Sequence, residues 1–346
     1  MTHFLTRRTF GGLALGLAAS RVPAFAAEPS LVDAAKQEGR LVWYTTLVVG
    51  QIVRPIIQAF ETRYPGIKID FVPAPWQETS LRIINEGRAN QVKGDLVDGG
   101  ASFPPLQAAG LIQPYLVQSA ASYPQAYRDP TGLWTANIIQ PSTPSVNLDQ
   151  VKKADIPQSY EDLLHPRWKG RMAWPDSPSV SGPPGFIGTI LTAMGQDRGM
   201  EYLEKLAGQR IASVPSNQRV VLDQNIQGQY PLVLMIYNYH AAISMAEGAP
   251  IDWLRLSPTM VSFGQMSLLK NAPHPNAAKL FLEFSLSEEG QSVYAAAGYL
   301  PAHPHVPSKA KGLKPDDGQY KDFVLSALAY SEHDKAWQAI YKKLFV

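Results

Sequence analysis

Three segments follow one another without interruption: the run Leu41-Val42-Trp43-Tyr44-Thr45-Thr46, the set Ile52, Val53, Ile56, Ile57 and Phe60, and the alternating Ile67, Ile69 and Phe71. The first is continuously β-prone, the second has helical spacing and the third has a two-residue period. They predict a buried strand, a helix over 51–64 with Pro55 in its first turn, and a second strand after the Tyr64-Pro65-Gly66 stop. A β-α-β crossover in one sheet is right-handed, which makes the two strands parallel. Their carboxyl ends, at 44–47 and 73–77, then open on one edge. A second helix over 79–90 and a short strand over 95–97 repeat the unit and end in Asp98-Gly99-Gly100-Ala101-Ser102. This is the pattern of an open α/β sheet, whose ligands sit outside the carboxyl ends of the strands. The loops at 45–49, 75–78 and 99–102 are therefore expected to face one cleft.

The Pro-, Ser- and Asp-rich stretch between Pro141 and Pro184 reads as a crossing into a second lobe. Beyond it, helices are expected over 183–195, 199–207, 217–227 and 239–247, and a strand over 230–237. A further strand over 265–269 and helices over 275–286 and 288–297 follow. With 346 residues and 45% apolar content, the chain exceeds the roughly 250 to 300 residues at which single cores stop growing. Two lobes follow from that.

Thr6-Arg7-Arg8-Thr9-Phe10, the apolar stretch 11–19 and the ending Ala24-Phe25-Ala26 read as a twin-arginine export signal over residues 1–26. The expectation is a periplasmic protein cleaved near Ala26. The formal charge of +2 includes Arg7, Arg8 and Arg21, so residues 27–346 carry −1. Without a Lys/Arg cluster there is no electrostatic footprint for nucleic acid or anionic lipid. The absence of cysteine removes disulfides, thiol nucleophiles and thiolate metal sites. No later apolar run reaches the ~20 residues of a membrane span.

Several phrases, in order, resemble one family: Leu41 to Thr46, Ala59-Phe60-Glu61, Tyr64-Pro65-Gly66-Ile67 and Asp162-Leu163-Leu164-His165-Pro166-Arg167-Trp168-Lys169-Gly170. Gly248-Ala249-Pro250, Leu269-Lys270-Asn271-Ala272-Pro273-His274-Pro275 and Ser287-Glu288-Glu289-Gly290-Gln291 continue the series. The chain resembles the extracellular solute-binding proteins of bacterial ATP-driven (ABC) importers, in the branch that includes the ferric-ion-binding proteins. The resemblance implies a type II periplasmic binding fold, an α/β fold of two lobes with a central mixed sheet each, joined by two crossing segments around a ligand cleft. It divides the chain into lobe 1 (27–138 and 260–306) and lobe 2 (139–259 and 307–346). It also implies a monomeric receptor, without enzymatic activity, that delivers a small solute to membrane permease and ATPase subunits.

Ferric-binding members hold iron with two adjacent tyrosines at the end of a second-lobe strand, helped by a His and a Glu from the first lobe. Here Tyr237, Tyr239 and His240 stand in the corresponding stretch, with the adjacent pair broken. The first-lobe positions fall near Thr46-Leu47 and Gly100-Ala101, which offer neither ligand. Tyr239 and His240 are the candidate metal ligands, with ferric iron as a transported solute; the bland alternatives are strand packing and a hydrogen bond at a helix start. The competing solute is a small organic anion, cradled by Ser179, Ser181 and Gly182 before the helix at 183, unless that stretch is an ordinary cap. Thr45 and Thr46 offer uncharged hydroxyls at a strand end, or simply terminate the strand. Trp76 is placed to stack on a planar solute or to pack between lobes. Arg82 and Arg219 are candidates for a two-pronged contact with an anion, or are solvated surface residues. An exported hydrolase is the alternative class, but no Gly-x-Ser-x-Gly elbow or His-Glu-x-x-His motif is present. His303-Pro304-His305 offers two imidazoles that nominally chelate, in a stretch expected to be a loop.

Overall fold

The computed structural model describes residues 28–177 and 179–346; the signal expected over 1–26 lies outside them. The described chain opens with α1 (Pro29–Glu38), which was not anticipated, and then alternates as anticipated through β1 (Arg40–Thr45), α2 (Arg54–Arg63), β2 (Lys68–Pro73), α3 (Trp76–Arg88) and β3 (Leu96–Asp98). β1 lies between β2 and β3 and is parallel to both. A π-helical turn over Val49–Val53 precedes α2 and delays its start, leaving Pro55 in its first turn, where a missing N–H costs nothing. α3 starts at Trp76, earlier than expected, because extended Pro75 serves as its N-cap. Trp76 therefore opens a helix.

After α4 (Phe103–Ala108) and β4 (Ile112–Gln113) comes β5 (Thr135–Asn147), which the sequence reading missed. The crossing read from Pro141 onward begins within this strand, since both Pro141 and Pro144 lie inside it. Pro144 is tolerated because the ladder to the next strand shifts register between Thr143 and Ser145, so no hydrogen bond is lost there. The chain continues with β6 (Met172–Pro175), α5 (Pro183–Met194), α6 (Gln196–Ala207), β7 (Ala212–Val214), α7 (Gln218–Ile226), β8 (Leu232–Tyr237), α8 (Asn238–Ala246) and β9 (Ile251–Trp253). It closes with β10 (Thr259–Leu269), α9 (Pro275–Leu286), α10 (Glu288–Ala296), β11 (Asp322–Val324) and α11 (Ala327–Phe345).

The strands form one sheet in the order β2-β1-β3-β10-β5-β8-β6-β7, with β4 and β11 on β10 and β9 on β5. β10 is twice as long as predicted, and its length is what joins the two lobes. Its carboxyl half pairs with β3 and β4, its whole middle runs antiparallel to β5, and the other end of β5 pairs with β8 and β9. The crossing segments are thus two hydrogen-bonded neighbours.

Each lobe has an aromatic centre. In the first, Trp43 meets Phe281 edge to face, and Phe60 packs against both Phe281 and Phe284, fastening α2 and α9 to β1. In the second, Trp174 is enclosed by Phe186 of α5 and by Tyr341 and Phe345 of α11. Burying such rings stabilises by roughly 1.5 to 3 kcal/mol each. No helix among the described residues is long and apolar enough to cross a membrane.

Candidate solute cleft

A cleft of about 410 Å³ opens where the carboxyl ends of the parallel strands from both lobes meet. From the first lobe it is lined by Thr46, Leu47 and Val48 after β1, Pro75 and Trp76 after β2, and Asp98 to Ala101 after β3. From the second it is lined by Ser177, Ser179, Val180 and Ser181 after β6, Asn217 and Gln218 at the start of α7, and Tyr237, Tyr239 and His240 at the start of α8. The crossing strands supply Asn137, Ile138, Gln140, Phe263 and Gly264, and Tyr299 completes the wall. A second space of about 510 Å³ shares Trp76, Ala101, Ser179 and Val180 with the cleft and reaches Tyr330, Asp334 and Gln338 on α11.

The structure therefore gathers Thr46, Trp76, Gly100, Ala101, Ser179, Ser181, Tyr237, Tyr239 and His240 around one space. Thr45 and Gly182 lie outside that lining. Thr45 is fully buried and its hydroxyl accepts from the Leu47 amide, so it shapes the loop from behind. Gly182 is the N-cap of α5, and a side chain there would meet the Ser177 carbonyl at 1.9 Å, so its role is to let the loop fold back on itself. Arg82 is exposed and paired with Glu78, and Arg219 donates to the Ser244 hydroxyl and pairs with Asp223; neither lines the cleft.

The second-lobe wall consists of helix starts. Asn217 caps α7 by accepting from the Val220 amide, and Gln218 donates to the Ser181 carbonyl at 2.9 Å, tying α7 to the serine loop before α5. Within that loop, the Ser179 hydroxyl lies 2.8 Å from that of Ser177 and 3.3 Å from that of Ser181. The rings of Tyr237 and Tyr239 are stacked nearly parallel with centroids 5.5 Å apart, and His240 stands edge-on to both. Met235 has φ of 59° at the point where β8 carries one residue more than β5, so a bulge lies just before β8 turns into α8.

Electrostatically this wall is neutral. Burial pushes the Tyr237 phenol up, opposed by the Ser181 hydroxyl, and pushes Tyr239 further, opposed by Gln140. Burial and the Arg219 charge lower His240 to about 4, leaving a neutral imidazole whose Nδ1 has no partner.

The first-lobe wall carries one carboxylate, absent from the candidates read off the sequence. Asp98 ends β3, where its Oδ1 accepts from the Thr46 amide at 2.9 Å and the Thr46 hydroxyl at 2.7 Å. Burial raises it to about 6. The Trp43 indole and Thr45 hydroxyl favour its ionised form, yet no group reaches hydrogen-bond geometry with Oδ2. Asn137 also has an unpartnered oxygen; it is the extra residue on β5 where the ladder to β10 shifts, and Tyr294 is close to both Asn137 and Asp98. The position of Asp98 at a strand end was a usable signal in the sequence. Asn137, Gln140, Phe263 and Gly264 had none, since they lie in strand halves without period.

The profile of the bacterial extracellular solute-binding protein family matches residues 95–323, and the chain belongs to that family. It is a receptor of the type II periplasmic binding fold, and the relatives have the same character. The chain is 24% identical over 293 residues to the Fe(3+)-binding periplasmic protein of Serratia marcescens, covering 82% of this chain and 83% of that one. Among solved structures it is similar to iron-bound HitA from Pseudomonas aeruginosa, with a TM-score of 0.73 and 20% identity over 89% of this chain and 99% of that chain. It is similar as well to AfuA from Actinobacillus pleuropneumoniae with fructose-6-phosphate bound, with a TM-score of 0.71 and 22% identity over 89% and 98%. The fold thus serves solutes as different as a metal ion and a sugar phosphate.

Proposed function

We propose that the solute is a small organic anion, captured between lobe 1 (27–138 and 260–306) and lobe 2 (139–259 and 307–346). One observation carries this reading: the amino ends of α7 and α8 and the serine loop before α5 open on the cleft, and no lysine or arginine is among the described residues that line it. Unsatisfied amides and helix dipoles then provide the positive potential, and the serine hydroxyls and neutral phenols donate hydrogen bonds. Asp98 and Asn137 on the opposite side accept, which suits a solute bearing hydroxyl or amine donors at its other end. A phosphate monoester of a small polyol, or a hydroxylated carboxylate, fits this division. The serine loop and Tyr239 hold the anionic end while Thr46 and the 99–102 turn close from lobe 1. The closed form, working as a monomer, is the one presented to importer permease and ATPase subunits in the periplasm. Residues 1–26 are its twin-arginine leader.

The test is a melting-shift screen of the protein lacking residues 1–26 against sugar phosphates, phosphonates, carboxylates and ferric citrate, followed by calorimetry on the hits. Saturable binding of an unconverted organic anion supports the reading. Conversion of that solute would sink it.

A second reading, ferric iron as cargo, is favoured by the stacked pair Tyr237 and Tyr239 beside His240, two hard phenol oxygens with an imidazole. The phenols are held neutral and Asp98, the only carboxylate among the described residues that line the cleft, is engaged with Thr46, so iron would need a bound anion to complete its shell. Iron loading giving a visible phenolate charge-transfer band would favour this reading; protein left colourless removes it.

A further inference from the structure

Away from the cleft, Glu288, His303 and His305 each bring one ligand atom within 4.8 Å of the others. We propose that these three side chains form a divalent transition-metal site of the zinc class. Two imidazoles and a carboxylate are a donor set zinc takes readily, and three protein ligands leave its fourth position open to water.

The backbone holds the three in place before any metal arrives. Glu288 is the first residue of α10, whose N-cap Ser287 accepts from the Gly290 amide. His303 and His305 lie on the loop that leaves Pro301, itself bridged to Ile138 on β5. Fully buried Gln291 fastens that loop to α10: its Oε1 accepts from the Ala302 amide at 2.7 Å and the His303 amide at 3.2 Å. Its Nε2 donates to the carbonyls of Asn137 and Ser285. Lys314 clamps the other side by donating to the carbonyls of His303 and Val306, and pairs with Asp316, so its charge is already engaged.

Distances decide how much must move. Ligands about 2.0 to 2.1 Å from a tetrahedral zinc lie about 3.3 Å from one another. His305 Nδ1 and Glu288 Oε1 are 3.0 Å apart, so one edge of the polyhedron is already formed. His303 is buried against the edge of Tyr123 and is the fixed point. His305 and Glu288 are the more exposed pair and swing by about an ångström onto it. The 3.2 Å contact from the His305 amide to His303 Nδ1 is long enough to yield when the metal binds. A metal here staples the amino end of α10 to the loop that leaves Pro301, which is bridged to the crossing strand β5.

Protein made without a histidine tag, stripped with EDTA and desalted, is titrated with zinc chloride by calorimetry. The expectation is one zinc per chain with micromolar affinity, and a melting temperature that rises with zinc concentration. His305→Ala and Glu288→Gln sit at the surface, keep the fold by circular dichroism, and each weaken zinc binding at least tenfold while abolishing the melting shift. Wild-type protein that takes up no zinc, or a folded His305→Ala that binds it as wild type does, overturns the proposal.

Discussion

Asp98 carries a charge that the cleft leaves only half satisfied, and its titration is the residue-scale handle on the site. Its pKa in the folded protein, about 6, lies above the ordinary carboxylate value. The folded state therefore binds the proton more tightly than the unfolded state, and the stability this provides is present in full below about pH 4 and lost as pH rises through 6. Asp98→Asn keeps an oxygen for Thr46 and removes the charge. The variant should match wild type near pH 4 and exceed it by up to about 3 kcal/mol at pH 7, measured by denaturant unfolding of solute-free protein. His240, lowered to about 4, has the opposite sense, its contribution falling as pH drops from 6.5; it is common to both proteins and cancels in the comparison. A pH-independent difference would show that Asp98 is not the titrating group. Tyr239→Phe removes a phenol donor at the start of α8 and should weaken solute binding at least tenfold by calorimetry, with little change in the melting temperature of the free protein.

At the scale of elements, the serine loop and α5 behave as one unit. A methyl group on Gly185 would stand 1.7 Å from the Val180 carbonyl, and one on Gly182 would stand 1.9 Å from that of Ser177. Both obstacles are backbone, so no rotamer change relieves them. Gly185→Ala gains about 1 kcal/mol of helix propensity, yet it should destabilise the protein by about 2 kcal/mol or more, because the loop must lift off the helix. It should also weaken solute binding, since the displaced residues include Ser179 and Ser181; unchanged affinity would separate the loop from the site. Glu283 plays a comparable part in the first lobe. It interrupts the apolar face of α9, is almost completely buried, and accepts from the Tyr115 hydroxyl and the amides of Gln118 and Ser119. Glu283→Ala strands those donors and should cost about 3 kcal/mol in a denaturant titration.

At the scale of the whole molecule, the two lobes are joined through β5 and β10, each of which begins in one lobe's ladder and ends in the other's. A solute bridging the cleft should therefore bring the lobes together about those strands, lowering the radius of gyration in small-angle scattering; an unchanged radius at saturation would remove closure from the mechanism. Much of this architecture was legible in the chain. The β1-α2-β2-α3-β3 alternation, the helices between 183 and 297 and the edge on which the cleft opens follow from period and from the handedness of a β-α-β crossover, which are local properties; α11 was not read from the sequence. The crossing strands were not legible, because residues buried on both faces show no two-residue period and because Pro141 and Pro144 look like breakers until a neighbouring bulge excuses them. The site divides in the same way. The loops that line the cleft and the serine stretch could be named from sequence because strand ends and helix starts are local, and Tyr237, Tyr239 and His240 were named from the resemblance to ferric-binding members. Asn137, Gln140 and Phe263 were supplied only by the tertiary structure, as were the exclusion of Arg82 and Arg219 from the cleft lining and the meeting of Glu288 with His303 and His305. What a side chain faces depends on ladders and bulges between residues far apart in the chain, and the sequence alone does not specify that register.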